Sequence, residues 1–281
     1  MRSLAAAAPP STGTAAGIDL DHLSWSGVST YNQCPKRFSY RYLEAAPEER
    51  KSAALIFGSA FHRAAEQVLQ SRLEGRDLPD QASLLATYTG HWKEESDQAP
   101  EIVFAKGDDE STLLNLAERM LVAFLEHVRQ EAQAEPQRRI LALEHADRFR
   151  LLPETPPLEA RLDVLELDGE DLLVTEIKTS KSRWNDQKVT EALPQLVVYA
   201  HALMPLLREI GATRIRPRFL IVTKAKAPVV QVLEPKADQR DVQRLREQLG
   251  EVWKGIQANV FPAREGWWCA ACPFRVACQG R

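Results

Sequence analysis

The sequence predicts a mixed α/β protein in which helices come first, three strands follow, and a helix, two strands and a last helix complete the core. Three observations carry this reading. Apolar residues recur at helical spacing before residue 135, extended patterns arrive together from Arg139 onward, and an Asp168-Gly169 turn signal joins two of the extended segments.

Taken in order, residues Leu23 to Leu43 carry Phe38 and Tyr42 at near-helical spacing and read as a helix interrupted or begun at Pro35. Gly58 to Leu73 reads as a helix ended by Gly75, because glycine accepts the left-handed conformation that closes a helix. Helices are expected over Ser83 to Glu95 and Ser111 to Glu131, the second with Leu113, Ala117, Met120, Leu121 and Phe124 on one face. Arg139 to Leu151, Leu158 to Leu167 and Leu172 to Thr179 read as strands. A helix at Thr190 to Ile210 precedes strands at Arg214 to Thr223 and Val229 to Leu233, and the last helix covers Ala237 to Ala258. The expected division is a disordered tail at 1–20, a helical N-terminal region at 21–135, a core at 136–260 and a cysteine-rich segment at 261–281.

At 281 residues the chain is long enough for one or two domains of about 150 residues each. Its 36 basic and 39 acidic residues leave a formal charge of −3, which excludes a polycation or an acidic tail. No run of about 18 apolar residues occurs, so no membrane span is expected. The opening stretch is too poor in apolar residues for a secretory leader, and a cytoplasmic location is expected. No G-x-x-x-x-G-K-[ST] pattern occurs, so ATP-driven unwinding is expected from another chain.

The basic residues are concentrated. Between Lys178 and Lys226 ten Lys or Arg face three acids, a local charge of +7 that reads as a polyanion footprint or as an ordinary solvated surface. The cysteines are concentrated too: Cys269, Cys272 and Cys278 fall in the last thirteen residues, and Cys34 lies 235 positions before Cys269. Clustered thiols at x2 spacing read first as metal or cluster ligands. A structural zinc usually takes two C-x2-C knuckles and Cys34 supplies half of one, which favours an iron-sulfur cluster over zinc, with two disulfides third.

The hairpin at Asp168-Gly169 brings acids together. If its loop is Gly169-Glu170, positions summing to 339 face each other and Asp163 lies opposite Glu176; if the loop is Asp168-Gly169, the two are diagonal. Either way they share a face with Lys178. Two adjacent carboxylates repel unless a cation sits between them, and carboxylate oxygens are what Mg²⁺ prefers. Asp, Glu and Lys so placed suffice for phosphodiester hydrolysis, although an ion-paired strand edge would have the same residues.

The sequence resembles the PD-(D/E)XK nucleases of the RecB-like group, near the iron-sulfur exonucleases of CRISPR adaptation and of helicase-nuclease repair complexes. The residues that carry the resemblance are GSAFHRAAE with His62, ARLDVLE with Asp163, VTEIKTS with Glu176 and Lys178, QLVVY with Gln195 and Tyr199, and the four cysteines. The first acidic motif reads Leu162-Asp163 rather than Pro-Asp, but the carboxylate remains. The resemblance implies a restriction-endonuclease-like core with a mixed central sheet flanked by helices, a helical insertion and a C-terminal cluster segment. It implies Mg²⁺ or Mn²⁺ bound by His62, Asp163, Glu176 and the Ile177 carbonyl, with Lys178 as the catalytic lysine. It also implies a [4Fe-4S] cluster on Cys34, Cys269, Cys272 and Cys278. The function so implied is a metal-dependent DNA nuclease, an exonuclease on single-stranded or end-containing DNA, in repair, recombination or CRISPR-type processing. Its partners would be DNA and a helicase or a CRISPR adaptation protein, with no membrane. The alternative is an inactive nuclease-like DNA-binding subunit of a helicase-nuclease complex; a zinc-dependent structural protein rests on the cysteines alone.

Neighbouring residues admit two readings each. Glu66 is placed to orient His62 or is a solvated acid. Gln195 and Tyr199 are packing residues, DNA-backbone contacts or supports for Lys178. Trp184, Trp267 and Trp268 could stack on bases, with Trp267 and Trp268 read preferentially as a shield for the cluster.

Overall fold

A computed structural model describes residues 18–280; most of the expected tail, residues 1–17, lies outside them. The elements run β1 (Leu23–Ser24), α1 (Trp25–Gln33), α2 (Pro35–Phe38, continued as a π-helical turn over Ser39–Leu43), β2 (Lys51–Ser52), α3 (Ala53–Leu73), α4 (Gln81–Asp97), β3 (Ile102–Val103) and α5 (Glu110–Ala134). Then come β4 (Arg139–Phe149), β5 (Leu158–Asp168), β6 (Asp171–Ser180), α6 (Asp186–Ala202), α7 (Met204–Glu209), β7 (Arg214–Thr223), β8 (Val230–Leu233), α8 (Gln239–Gln257), a 3-10 turn (Trp267–Ala271) and α9 (Arg275–Gln279). The mixed α/β architecture with a central mixed sheet is therefore as expected. The two-residue strands β1, β2 and β3 were not foreseen, since two residues carry no periodicity.

Helix starts follow local chemistry. Asp80, Asp109, Asn185 and Asp238 each accept a backbone N–H of the first turn of α4, α5, α6 and α8, satisfying donors that have no partner inside the helix. The break between α1 and α2 falls at Cys34, which is extended (φ −156°), as expected of a residue before proline.

The sheet order is β1-β5-β6-β7-β8, with β4 on the other edge of β5. One face carries α1, α6 and α8, packed on Leu165, Leu172, Val174, Phe219 and Ile221. The other carries α3, α4 and α5, packed on Val164, Ile177, Leu220 and Val222. α3 and α5 thus cover one face of the sheet directly, with α4 packed on them.

The β5–β6 hairpin has the Gly169-Glu170 loop: Asp168 pairs with Asp171 and Val164 with Thr175, all summing to 339. Gly169 takes the left-handed conformation (φ 61°) that such a turn requires. The ladder stops at Val164 and Thr175. Upstream, β5 leaves β6 and pairs with β1 at Leu158 and Glu159, so residues 160–163 have no strand on that edge. The strand also turns over there, because Leu158, Ala160 and Leu162 face the first cluster and Val164 the second. Asp163 sits at the point of divergence.

Candidate active site

Where β5 and β6 part, the Ile177 N–H donates to Asp163 Oδ2 at 2.7 Å instead of to a strand carbonyl. The carboxylate thus fills the place of the missing ladder bond. His62, from the middle of α3, reaches over the same spot, with Nδ1 3.7 Å from Asp163 Oδ2, and its ring hydrogen-bonds the Ile177 backbone. Glu176, only 4% exposed, receives Lys178 Nζ at 2.5 Å and Gln195 Nε2 at 2.8 Å, both on Oε1. Its other oxygen, Oε2, is buried with no hydrogen-bond partner.

The electrostatics match the geometry. Burial first, and the Glu176 charge second, raise the Asp163 carboxyl well above the ordinary carboxylate range. Burial lowers the His62 ring, opposed by Glu176, so the imidazole is neutral and able to act as a ligand. Burial and the Glu176 charge push the Tyr199 phenol up, keeping it protonated. Gln195 Nε2 is 2.6 Å from Tyr199 Oη, and the phenol in turn hydrogen-bonds Glu176. Gln195 and Tyr199, one turn apart on α6, therefore touch the Glu176 carboxylate, and they reach Lys178 only through it.

A buried carboxylate oxygen without a partner is costly, and two carboxylates, one with its acidity weakened by burial and by the other's charge, lower that cost by sharing a cation. The donor set of His62, Asp163, Glu176 and the Ile177 carbonyl fits a hard divalent cation in type. Among the described residues, no three His, Cys, Asp or Glu side chains are drawn together at ligand spacing. Glu66 pairs with Arg63 at 2.7 Å rather than with His62.

Glu144 was missed by sequence reasoning. Leu143 pairs with Val164 and His145 with Leu162, so Glu144 falls opposite Asp163, and it has φ 47° within β4. Burial raises its carboxyl, with Glu66 and Glu176 adding to the effect. Only the register of β4 against β5, absent from the sequence pattern, would have found it.

All four cysteines, expected to act together, line one cavity of about 500 Å³ with Lys36, Arg37, Arg264 and Arg275. They are free thiols. Burial raises the Cys272 and Cys278 thiols, and Cys34 and Cys269 add to this, as in a set of sulfurs facing a common space. Trp268 lines this cavity and its indole N–H donates to Arg264 O at 3.2 Å, whereas Trp267 is 83% exposed and shields nothing. Trp184 packs on Phe219.

The +7 segment is not one basic face. Arg214 pairs with Asp171, Arg216 with Glu234 and Asp171, and Arg218 with Glu166 and Glu131, while Lys178 pairs with Glu176. Strand alternation and cross-strand acids neutralise these residues inside the fold, which a count along the sequence does not register. Among the described residues, Lys181, Arg183, Lys188, Arg208, Lys224 and Lys226 form no ion pair.

Residues 22–279 match the family model for the PD-(D/E)XK nuclease superfamily. No curated protein matches the sequence. Among solved structures, the chain is similar to a candidate exonuclease from Eubacterium rectale at 12% identity and a TM-score of 0.54, covering 90% of this chain and 87% of that one. It is also matched to SSO0001 at 14% identity and a TM-score of 0.33, covering 89% and 96%. Protein VC1899 from Vibrio cholerae is matched at 17% identity and a TM-score of 0.22, covering 85% and 56%. Of the three, the first bears on the fold, and on the fold alone. No helix among the described residues is long and apolar enough to cross a membrane.

Proposed function

The chain belongs to the PD-(D/E)XK nuclease superfamily, and we propose that within it this is a metal-dependent DNA nuclease of the RecB-like group, an exonuclease acting on single-stranded or end-containing DNA. The observation that carries the reading is the buried, unpartnered Glu176 Oε2 beside the place where β5 and β6 diverge and where His62 and the Ile177 N–H meet Asp163. The name of the Eubacterium rectale protein points the same way.

A Mg²⁺ or Mn²⁺ ion held by His62, Asp163, Glu176 and the Ile177 carbonyl would polarise the scissile phosphate and make the attacking water more acidic. Gln195 holds Glu176 by Oε1, with Tyr199 against Gln195, and Oε2 is left for the ion. Lys178, one third exposed and tethered to Glu176, presents its ammonium to the phosphate, where it orients the water and offsets charge that develops as the bond breaks. The Ile177 N–H fixes the Asp163 rotamer, so the two carboxylates are aligned before substrate arrives.

A [4Fe-4S] cluster on Cys34, Cys269, Cys272 and Cys278 is proposed as a structural tie, because the donor set, in number and kind, surrounds one cavity. Nothing in phosphodiester hydrolysis calls for electron transfer. The cellular role is proposed as DNA repair, recombination or CRISPR-type processing, with a helicase or CRISPR adaptation protein as partner.

Incubation of the purified protein with end-labelled linear and circular DNA, single- and double-stranded, with Mg²⁺ or Mn²⁺, tests the reading. Digestion of linear DNA is expected, abolished by Asp163→Ala or Glu176→Ala and slowed about 10²-fold or more by Lys178→Ala. Failure to cut any form with either metal would leave a nuclease-like binding subunit. Anaerobically purified protein should be brown; a colourless protein with tightly bound zinc would overturn the cluster.

A further inference from the structure

Lys224 is the first residue after β7, and its backbone N–H donates to the carbonyl of Ser180, the last residue of β6, at 2.6 Å. It therefore stands at the same end of the sheet as Lys178. Its side chain lies on the α3 face: Nζ is 4.1 Å from the centre of the Phe57 ring, and Phe57 is fully buried. Gly58, the next residue of α3, faces Thr179 of β6 closely enough that a Cβ there would sit 4.0 Å from Thr179 Oγ1. His62 follows on the same helix. Lys181, exposed in the loop directly after β6, is a charged neighbour of Lys224, and the two repel. Asp108, in the loop before α5, attracts Lys224 without forming an ion pair with it.

A half-buried ammonium over an aromatic ring, beside a second ammonium and with no acid in contact, is an arrangement that an anion stabilises. A lysine kept only for packing would be better replaced by an apolar residue. The anion at hand is fixed by position, since both lysines border the end of β6 that carries Lys178. Resting on the proposed nuclease reading for the identity of the strand, we infer that Lys181 and Lys224 form a binding site for a backbone phosphate of single-stranded DNA beside the cleavage centre. The Phe57 ring holds Lys224 in place while the flexible Lys181 closes on the phosphate from the solvent side. Lys178 contributes to the chemistry; this pair positions the strand.

The test is binding of a 5′-fluorescein-labelled single-stranded oligonucleotide to the full chain in EDTA, followed by anisotropy across a salt series, so that no cleavage intervenes. Lys224→Met and Lys181→Ala are each expected to weaken binding roughly 3- to 10-fold at low salt and to flatten the log-log salt slope by about 0.7. Lys224→Arg should retain binding, and Lys254→Ala, on the exposed side of α8 and paired with Glu251, should change nothing. Burial lowers Lys224 to about 8, with Lys181 also lowering it and Asp108 opposing, so the difference between the wild type and Lys224→Met should shrink from pH 7 to pH 9. Unchanged affinity and slope in both variants, or no binding by the wild type, would overturn the pair. Lysine-dependent binding by a protein that cuts nothing upholds the pair and removes the nuclease reading. Cleavage with lysine-independent binding does the reverse.

Discussion

Burial and the Glu176 charge hold a proton on Asp163 well above the usual carboxylate range, so a cation entering the site must displace that proton. Divalent-ion affinity should then rise with pH until Asp163 is ionised and be accompanied by proton release. Calorimetric titration with Ca²⁺ in two buffers of different ionisation enthalpy reads both quantities; an affinity independent of pH would place the ion elsewhere. At Lys224 the shift runs the other way, downward. Its folded value of about 8 lies below the ordinary 10.5, so its burial favours the neutral form, and stability is lost as pH falls through 8. Lys224→Met should therefore stabilise the protein at pH 7, by no more than about 3 kcal/mol, with the gain disappearing above pH 10.5. Thermal melts at pH 7 and pH 10 compare the two, and a variant no more stable at pH 7 would show that the ammonium is well solvated.

Between elements, a buried ionic group joins α5 to the sheet. Arg218 on β7 donates to Thr175 Oγ1 and Glu166 Oε2 at 2.8 Å each and to Glu131 of α5 at 2.5 Å, while Arg138 reaches Glu131 at 3.0 Å. Removing one partner strands the others, so Arg218→Ala should cost about 3–5 kcal/mol in urea unfolding. Arg214→Ala removes a largely exposed guanidinium whose buried partner Asp171 keeps Arg216, and should cost less than about 1 kcal/mol. Neither should alter DNA affinity if these arginines are occupied within the fold. The sequence reading of this region was half right for a physical reason. The turn residues limited the register to two choices, and the register near the turn held because that signal is local; the expected facing of Asp163 and Glu176 is not a ladder pair, since the ladder has ended and the strand turns over at Asp163. What Arg218 faces depends on the crossing of α5 over β7, and what Glu144 faces depends on the bulge that shifts β4 against β5 between Ile140 and Ala142. Neither leaves a local mark. Helix bounds were legible where a cap and an apolar stripe agreed, as at Gly75 after α3.

Across the whole molecule, the two ends of the described chain are sewn together without reference to any cluster. Tyr31 donates to Val260 O at 2.7 Å, Arg264 to Asn32 O at 2.6 Å, and the backbone N–H groups of Val276 and Ala277 to Glu49 at 2.9 and 3.0 Å. Gly255 is required at this seam, since a Cβ there would lie 2.2 Å from Tyr31 Oη. The cysteine spacing made the contact between the ends legible, because thiols 235 positions apart share a site only if the chain closes on itself; the seam of side-chain-to-backbone hydrogen bonds carries no such signature. The cluster proposed on the cysteines would brace the same closure as the seam, and closing so long a loop would remove much unfolded-chain entropy. Loss of one ligand should then loosen the protein without unfolding it, because the hydrogen bonds of the seam remain. Cys34→Ser is expected to lose its visible absorption and to melt several degrees lower while keeping a cooperative transition. Adding Gly255→Ala to Cys34→Ser should lower the melting temperature further, as the clash with Tyr31 breaks one tie of the seam while those to Asn32 and Glu49 remain. A Cys34→Ser protein that stays brown and melts with the wild type would show that Cys34 neither binds the cluster nor supports the closure.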